Sequence, residues 1–133
     1  MKNKPTYLDT NVFIYWLDVG SPFNSTAAAT LRKLEKYKDW GVTSVITLTE
    51  LRSGLGEDGS SALQEIQALV HTLLVDETIA IRAGELRQLY PALRTPDAIH
   101  LATALISGAS KMVTADKKLH SIASKQIKCT LLK

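Results

Sequence analysis

The sequence predicts an α/β fold in three layers, with a central, mainly parallel sheet held between two layers of helix. Two observations carry this. Short apolar, β-prone runs alternate along the chain with helical stretches, and no internal repeat, linker or low-complexity tract interrupts the alternation. Such a pattern is that of βαβ units with right-handed crossovers. The size agrees: 133 residues, 45% apolar and 22% charged, read as a single domain over 1–133. A chain of this length buries about two-thirds of its unfolded surface, enough for a core without metal or disulfide staples.

The elements follow in order. Thr6-Tyr7-Leu8 is a short strand ending at Asp9, and Asn11 to Leu17 continue as apolar helical turns. Gly20-Ser21-Pro22 is a loop. A helix opens at the capping residues Asn24 or Ser25 and runs through Leu31, Leu34 and Tyr37 to a stop near Trp40-Gly41. Val42 to Val45 is β-branched at its ends and reads as strand. Thr47-Leu48-Thr49-Glu50 matches a capping box, so a helix is expected to begin there and to end in Gly54-Leu55-Gly56. Glu57 to Ser61 is a polar loop before a helix with Leu63, Ile66, Leu69 and Val70 on one side. Leu73 to Val75 is a strand, and Ile79, Ala83, Leu86 and Leu89 mark the next helix. Thr95-Pro96-Asp97 opens another, with Thr95 as cap, and its span from Ala98 to Ile106 is nearly all apolar. Met112 to Thr114 is a strand, Lys117 to Ala123 a short helix, and Ile127 to Leu132 the last strand.

Composition excludes several classes. The lone Cys129 rules out an intramolecular disulfide framework and a cysteine-based zinc cluster. The apolar run near the N-terminus is broken by Asp9 and Asn11 and ends at Asp18, too short for a signal-peptide core or a membrane span. A cytoplasmic protein with no membrane contact is the expectation. Net charge is +3, unevenly spread: six lysines and one acid follow position 110, against ten basic and twelve acidic side chains before it. The basic C-terminal part is either a phosphate-facing surface or a solvated face.

Four acids fall where such a fold binds ligands, outside the carboxyl ends of its strands. Asp9 follows the first strand and Asp116 follows the Met112–Thr114 strand, while Glu50 and Asp97 lie in first turns of helices. Singly, each has an ordinary reading as a turn residue, a cap or a helix-dipole partner. Together on one edge they form a carboxylate cluster that calls for a counter-charge. Arg94 precedes Asp97 by three, and Lys117 and Lys118 adjoin Asp116. A hard divalent cation is the natural partner for the remaining oxygens. His100, three residues after Asp97, shares its helix face, either as a satisfied core histidine or as a contact to the site. Phe13, Tyr15 and Trp16 are expected in the core or a dimer contact, and His71 and His120 at the surface.

Four segments carry a family resemblance. Tyr7-Leu8-Asp9-Thr10-Asn11-Val12-Phe13-Ile14 looks like the opening of PIN-domain nucleases, and Thr47-Leu48-Thr49-Glu50-Leu51 is similar to their second acidic motif. The segment from Thr95 to Ala104 resembles the third, and Val113-Thr114-Ala115-Asp116 the fourth. Order, spacing and total length agree over essentially the whole chain. Single-domain members of this size are mostly VapC-type toxins of toxin–antitoxin pairs. The resemblance implies a sheet of about five strands and an endoribonuclease dependent on Mg²⁺ or Mn²⁺. Its metal-binding and catalytic acids would be Asp9, Glu50, Asp97 and Asp116. Thr10, Asn11 and Thr114 match polar positions that shape the site, and a homodimer inhibited by a cognate antitoxin is implied as well. Lys117 and Lys118 are candidate contacts to the RNA backbone. Two alternatives stay open: a non-catalytic binding module of the same fold, and a DNA-directed, structure-specific nuclease. A phosphoacceptor receiver domain is excluded, because no aspartate ends a strand between Asp39 and Asp58.

Overall fold

The computed structural model describes residues 4–36 and 40–133. Five strands, β1 (Thr6–Leu8), β2 (Gly41–Ser44), β3 (His71–Leu73), β4 (Lys111–Thr114) and β5 (Cys129–Leu131), form one sheet in the order β3-β2-β1-β4-β5. Every neighbouring pair is parallel. The helices are α1 (Thr10–Leu17), α2 (Asn24–Lys36), α3 (Val45–Leu55), α4 (Gly59–Leu69), α5 (Glu77–Leu89), α6 (Thr95–Ile106) and α7 (Lys117–Ala123).

Side chains alternate across a strand, so each central strand feeds two cores. Tyr7 and Met112 join Ile79, Ala83, Leu86, Leu101 and Leu119 beneath α5, α6 and α7. Leu8 and Val113 join Val12, Phe13, Leu31, Leu51 and Ile66 beneath α1 to α4. The expected three layers are therefore present. The chain leaves β1 toward β2 on one side and leaves β4 toward β5 on the other. The crevice where an open sheet reverses direction thus lies between the ends of β1 and β4.

Several local expectations give way. The Val42–Val45 strand ends one residue early, because Ser44 caps α3 by accepting from the N–H of Ile46. Thr47 and Glu50 consequently sit inside α3 and form no capping box; both are bonded to other elements. Asn24 does not cap α2: its amide donates to the carbonyls of Tyr15 and Trp16 at the end of α1, both at 3.0 Å. Glu57 to Ser61 is not a loop but a 3₁₀ turn (Gly56–Asp58) running into α4. The third strand lies at His71–Leu73, two residues before the expected Leu73–Val75, in register with Val42 to Ser44. Thr95 is the first residue of α6 rather than its cap, and Arg94 occupies the cap position without a side-chain capping bond. Leu69 and Leu89, expected on inward faces, are exposed. Tyr37 lies outside the described residues. At the far end of α6, Gly108 takes φ +73° and the N–H of Ala109 reaches back to the carbonyl of Ala104, a Schellman stop.

Candidate active site

Asp9 follows β1 and caps α1, one of its oxygens accepting from the Thr10 N–H at 2.9 Å. Its other oxygen accepts from the Thr114 hydroxyl at 2.7 Å, so the carboxylate spans the crevice between β1 and β4. Thr114 is a hub: its oxygen also accepts from the Asp116 N–H at 3.1 Å and from the Asn11 amide at 3.3 Å. Asn11 closes the ring by accepting from the Ala115 N–H at 3.0 Å. Asp116 caps α7, one oxygen taking the N–H groups of Lys118 and Leu119. Asp97 stands in the first turn of α6, facing Arg94 across 3.4 Å. That contact is long and its arginine is 76% exposed, which places it among pairs worth about 0.2–1 kcal/mol before screening.

Glu50 projects from α3 to the same place. One oxygen accepts from the Thr10 hydroxyl at 2.8 Å and meets His100 Nε2 at 2.9 Å. Beneath it runs a buried polar seam. His100 Nδ1 lies 2.6 Å from the Tyr7 hydroxyl, and Thr10, Thr47 and Thr43 are linked oxygen to oxygen, with Thr43 donating to the Leu8 carbonyl. His100 is only 1% exposed and also lies 3.5 Å from Asp9. The histidine thus joins the acids from below rather than filling an apolar gap.

Electrostatics follow from this layout. The Asp97 pKa is raised from its ordinary value, first by burial, then by the charge of Asp9 and, to a lesser extent, Asp116, with Arg94 opposing. Glu50 is lowered, chiefly by the hydrogen bond from His100, against the opposing effect of burial. Burial alone would lower His100, but its bond to Glu50 and the charges of Asp9, Glu50 and Asp97 outweigh that and raise it. Burial holds the Tyr7 phenol well above its usual range, so it remains a proton donor. When the phenol donates to Nδ1, the ring proton sits on Nε2 and points at Glu50; in the protonated ring both nitrogens donate.

Asp9, Glu50, Asp97 and Asp116 all line one cleft of about 350 Å³, together with Thr10, Asn11, Ile14, Ser53 and Arg94. All four acids singled out in the sequence meet there. Lys117 and Lys118 are exposed beside Asp116 but do not line it. Tyr7, Thr43, Thr47, Ser53 and Ile14 also belong to the site or the seam beneath it, and none of them stands out in the sequence as a site residue. Only Tyr7 had a local signal, the two-residue offset from Asp9 that turns both to one side of β1.

Among the described residues, no three His, Cys, Asp or Glu side chains form a ready-made metal cage. The donors at the cleft are carboxylate oxygens, and each aspartate keeps lone pairs beyond its hydrogen bonds. This set suits a hard cation that retains waters and takes one or two carboxylates, rather than a fully enclosed ion. With Asp9, Asp97 and Asp116 repelling one another, the residues fit such a guest.

An open parallel sheet with acids gathered at its switch point defines the class, and the PIN domain family pattern matches residues 6–125. The chain belongs to the PIN domain family. Ribonuclease VapC23 of Mycobacterium tuberculosis is 29% identical over 123 residues, covering 89% of this chain and 95% of that protein. A toxin–antitoxin complex from Klebsiella pneumoniae contains a chain with 28% identity and a TM-score of 0.67, covering 85% of this chain and 88% of that one. VapBC2 from Rickettsia felis, crystallised on a DNA fragment from its promoter, shares the fold, with a TM-score of 0.78, 20% identity and coverage of 96% and 98%.

Proposed function

We propose that the chain is an endoribonuclease dependent on Mg²⁺ or Mn²⁺ and the toxin of a toxin–antitoxin pair. The observation that carries the proposal is the convergence of Asp9, Glu50, Asp97 and Asp116 on one cleft at the switch point. The ribonuclease and the toxin–antitoxin complex among its relatives support RNA as substrate and a protein antitoxin as partner. A homodimer completes the proposal.

A bound divalent ion supplies a water of lowered pKa and offsets charge growing on the phosphate. The chain's own residues hold and orient. Asp9, Glu50, Asp97 and Asp116 present the oxygens that would bind the ion, and Thr10 and Thr114 fix Asp9 from both sides. Asn11 ties α1 to the β4 exit, so Asp9 and Asp116 keep their separation. Glu50 is fixed against His100 and Thr10 at the wall of the cleft. Lys117 and Lys118 would take backbone phosphates outside the cleft.

In this chemistry the water oxygen bonds to phosphorus as the bond to the 3′ oxygen breaks. His100 is buried, and His71 and His120 do not line the cleft, so no imidazole pair is placed to activate a 2′-hydroxyl. Cleavage of total RNA with Mg²⁺ or Mn²⁺ should leave 5′-phosphate and 3′-hydroxyl ends, as read by end mapping, and stop in EDTA. Cyclic phosphate ends, or undiminished cleavage in EDTA, would overturn the mechanism. Binding without cleavage under any metal would make the chain a non-catalytic module of this fold.

A further inference from the structure

We infer that Arg94 forms a phosphate subsite at the mouth of the cleft, gripping a phosphodiester of the RNA strand next to the bond that is cut. The inference rests on the nuclease reading above and assigns a role to a residue that reading leaves unused.

Most polar side chains at the cleft are already spent on protein partners. The Thr10 hydroxyl lies within bonding distance of both Glu50 and Thr47. Asn11 has its amide on Thr114 and its carbonyl on the Ala115 N–H. The Ser53 hydroxyl donates to the Glu50 carbonyl at 3.3 Å. Arg94 differs from all three. Its Nε makes one long contact to Asp97 at 3.4 Å, and among the described residues neither terminal nitrogen has a protein partner.

Its setting is equally specific. The Arg94 backbone is pinned, since its carbonyl accepts the Ala98 N–H at 2.9 Å as α6 begins. The side chain beyond it is 76% exposed. A fixed root with a free head is what a substrate clamp requires. Among the residues lining the cleft, Arg94 is the cation and four are acids. An RNA phosphate approaching four carboxylates is repelled unless positive charge meets it, and a guanidinium fork matches two phosphate oxygens at once. Asp97 lies one helical turn from Arg94, so a phosphate held there is a close neighbour of the one at the acids. Leaving Asp97 for a phosphate costs Arg94 only one weak contact.

The test uses wild type, Arg94→Ala and Arg94→Lys. Binding of a fluorescein-labelled single-stranded RNA of mixed sequence is measured against salt with Mg²⁺ present. Each protein carries Asp116→Asn to prevent turnover, a change that keeps the cap on α7. Arg94→Ala should flatten the slope of log K against log salt by about 0.7, the loss of one phosphate contact, and Arg94→Lys should keep the slope. In the otherwise unaltered enzyme, Arg94→Ala should raise KM for RNA about tenfold with kcat changed less than threefold. An unchanged slope and KM would overturn the subsite. So would a fall in kcat alone, which would mean that Arg94 acts only through Asp97. Failure of the nuclease reading would show separately, as no cleavage by wild type, and the salt slope would still decide the subsite.

Discussion

At Asp97 opposing forces compete. The α6 N-terminus and Arg94 favour the carboxylate, while burial and the charges of Asp9 and Asp116 disfavour it. The balance raises its pKa, and the sign of the stability effect follows. An acid whose folded pKa exceeds its unfolded one destabilises the fold above the folded pKa, and the penalty disappears as pH falls toward the unfolded value. Asp97→Asn removes the charge at nearly constant shape. It should raise the melting temperature of the metal-free protein at pH 7, by about 1 kcal/mol in stability, while abolishing cleavage. The gain should fade as the pH is lowered, and on the proposed metal dependence should shrink or reverse in saturating Mg²⁺, because wild type would bind the ion more tightly. A lower melting temperature in EDTA at pH 7 would mean that Asp97 serves only the helix dipole. The Glu50–His100 contact has the opposite sense. It stabilises between the lowered pKa of Glu50 and the raised pKa of His100, and is lost as pH falls through the first or rises through the second.

Two glycines, one at a helix end and one inside a helix, give a second test of opposite sign. Gly108 stops α6 at φ +73°, and a Cβ there meets no atom within 4 Å, so the cost of a side chain is purely backbone. Gly84 lies inside α5, also with open space around its Cβ. Gly108→Ala should lower stability by about 1 kcal/mol, and Gly84→Ala should raise it by about 0.5–1 kcal/mol. Urea midpoints with unchanged slopes would show both. Existence and type of the strands and α-helices were readable, because apolar spacing and Gly or Pro punctuation are local, whereas the 3₁₀ turn at Gly56–Asp58 falls in a polar stretch expected as loop. The start of α3 was not. Thr47 and Glu50 have a capping box's spacing, but Thr10, Thr43 and His100, distant in sequence, take up their side chains, and Ser44 caps instead. β3 slipped for a similar reason: a three-residue run has no register of its own, and pairing with Val42 to Ser44 supplies it.

Across the whole molecule, Asp9, Asp97 and Asp116 were legible because each follows a strand or begins a helix, and parallel βα units bring all such points to one edge; Glu50 reaches that edge from inside α3. The seam from Tyr7 through His100 to Glu50 was not, since it joins β1, α6 and α3 by contacts 50 and 93 positions apart in sequence. The outer surface poses the remaining question. Ile79, Ala83 and Leu86 of α5 are buried, while Ile81, on the opposite side of that helix, is 66% exposed. Leu74 and Leu89, at either end of the same segment, are also exposed, and β3 beside them is an edge of the sheet. Large apolar side chains concentrated on one segment favour association, because burying each in a partner gains roughly 1.5–3 kcal/mol. If the homodimer forms through this segment, symmetry places Ile81 of each copy in the same interface. Ile81→Glu would then bury two like charges and split the dimer. Its exposure in the single chain means that the fold itself should survive. Sedimentation should show a dimer for wild type and a monomer for Ile81→Glu at tens of micromolar, with unchanged circular dichroism. A monomeric wild type would remove the dimer, and a dimer indifferent to Ile81→Glu would move the interface elsewhere.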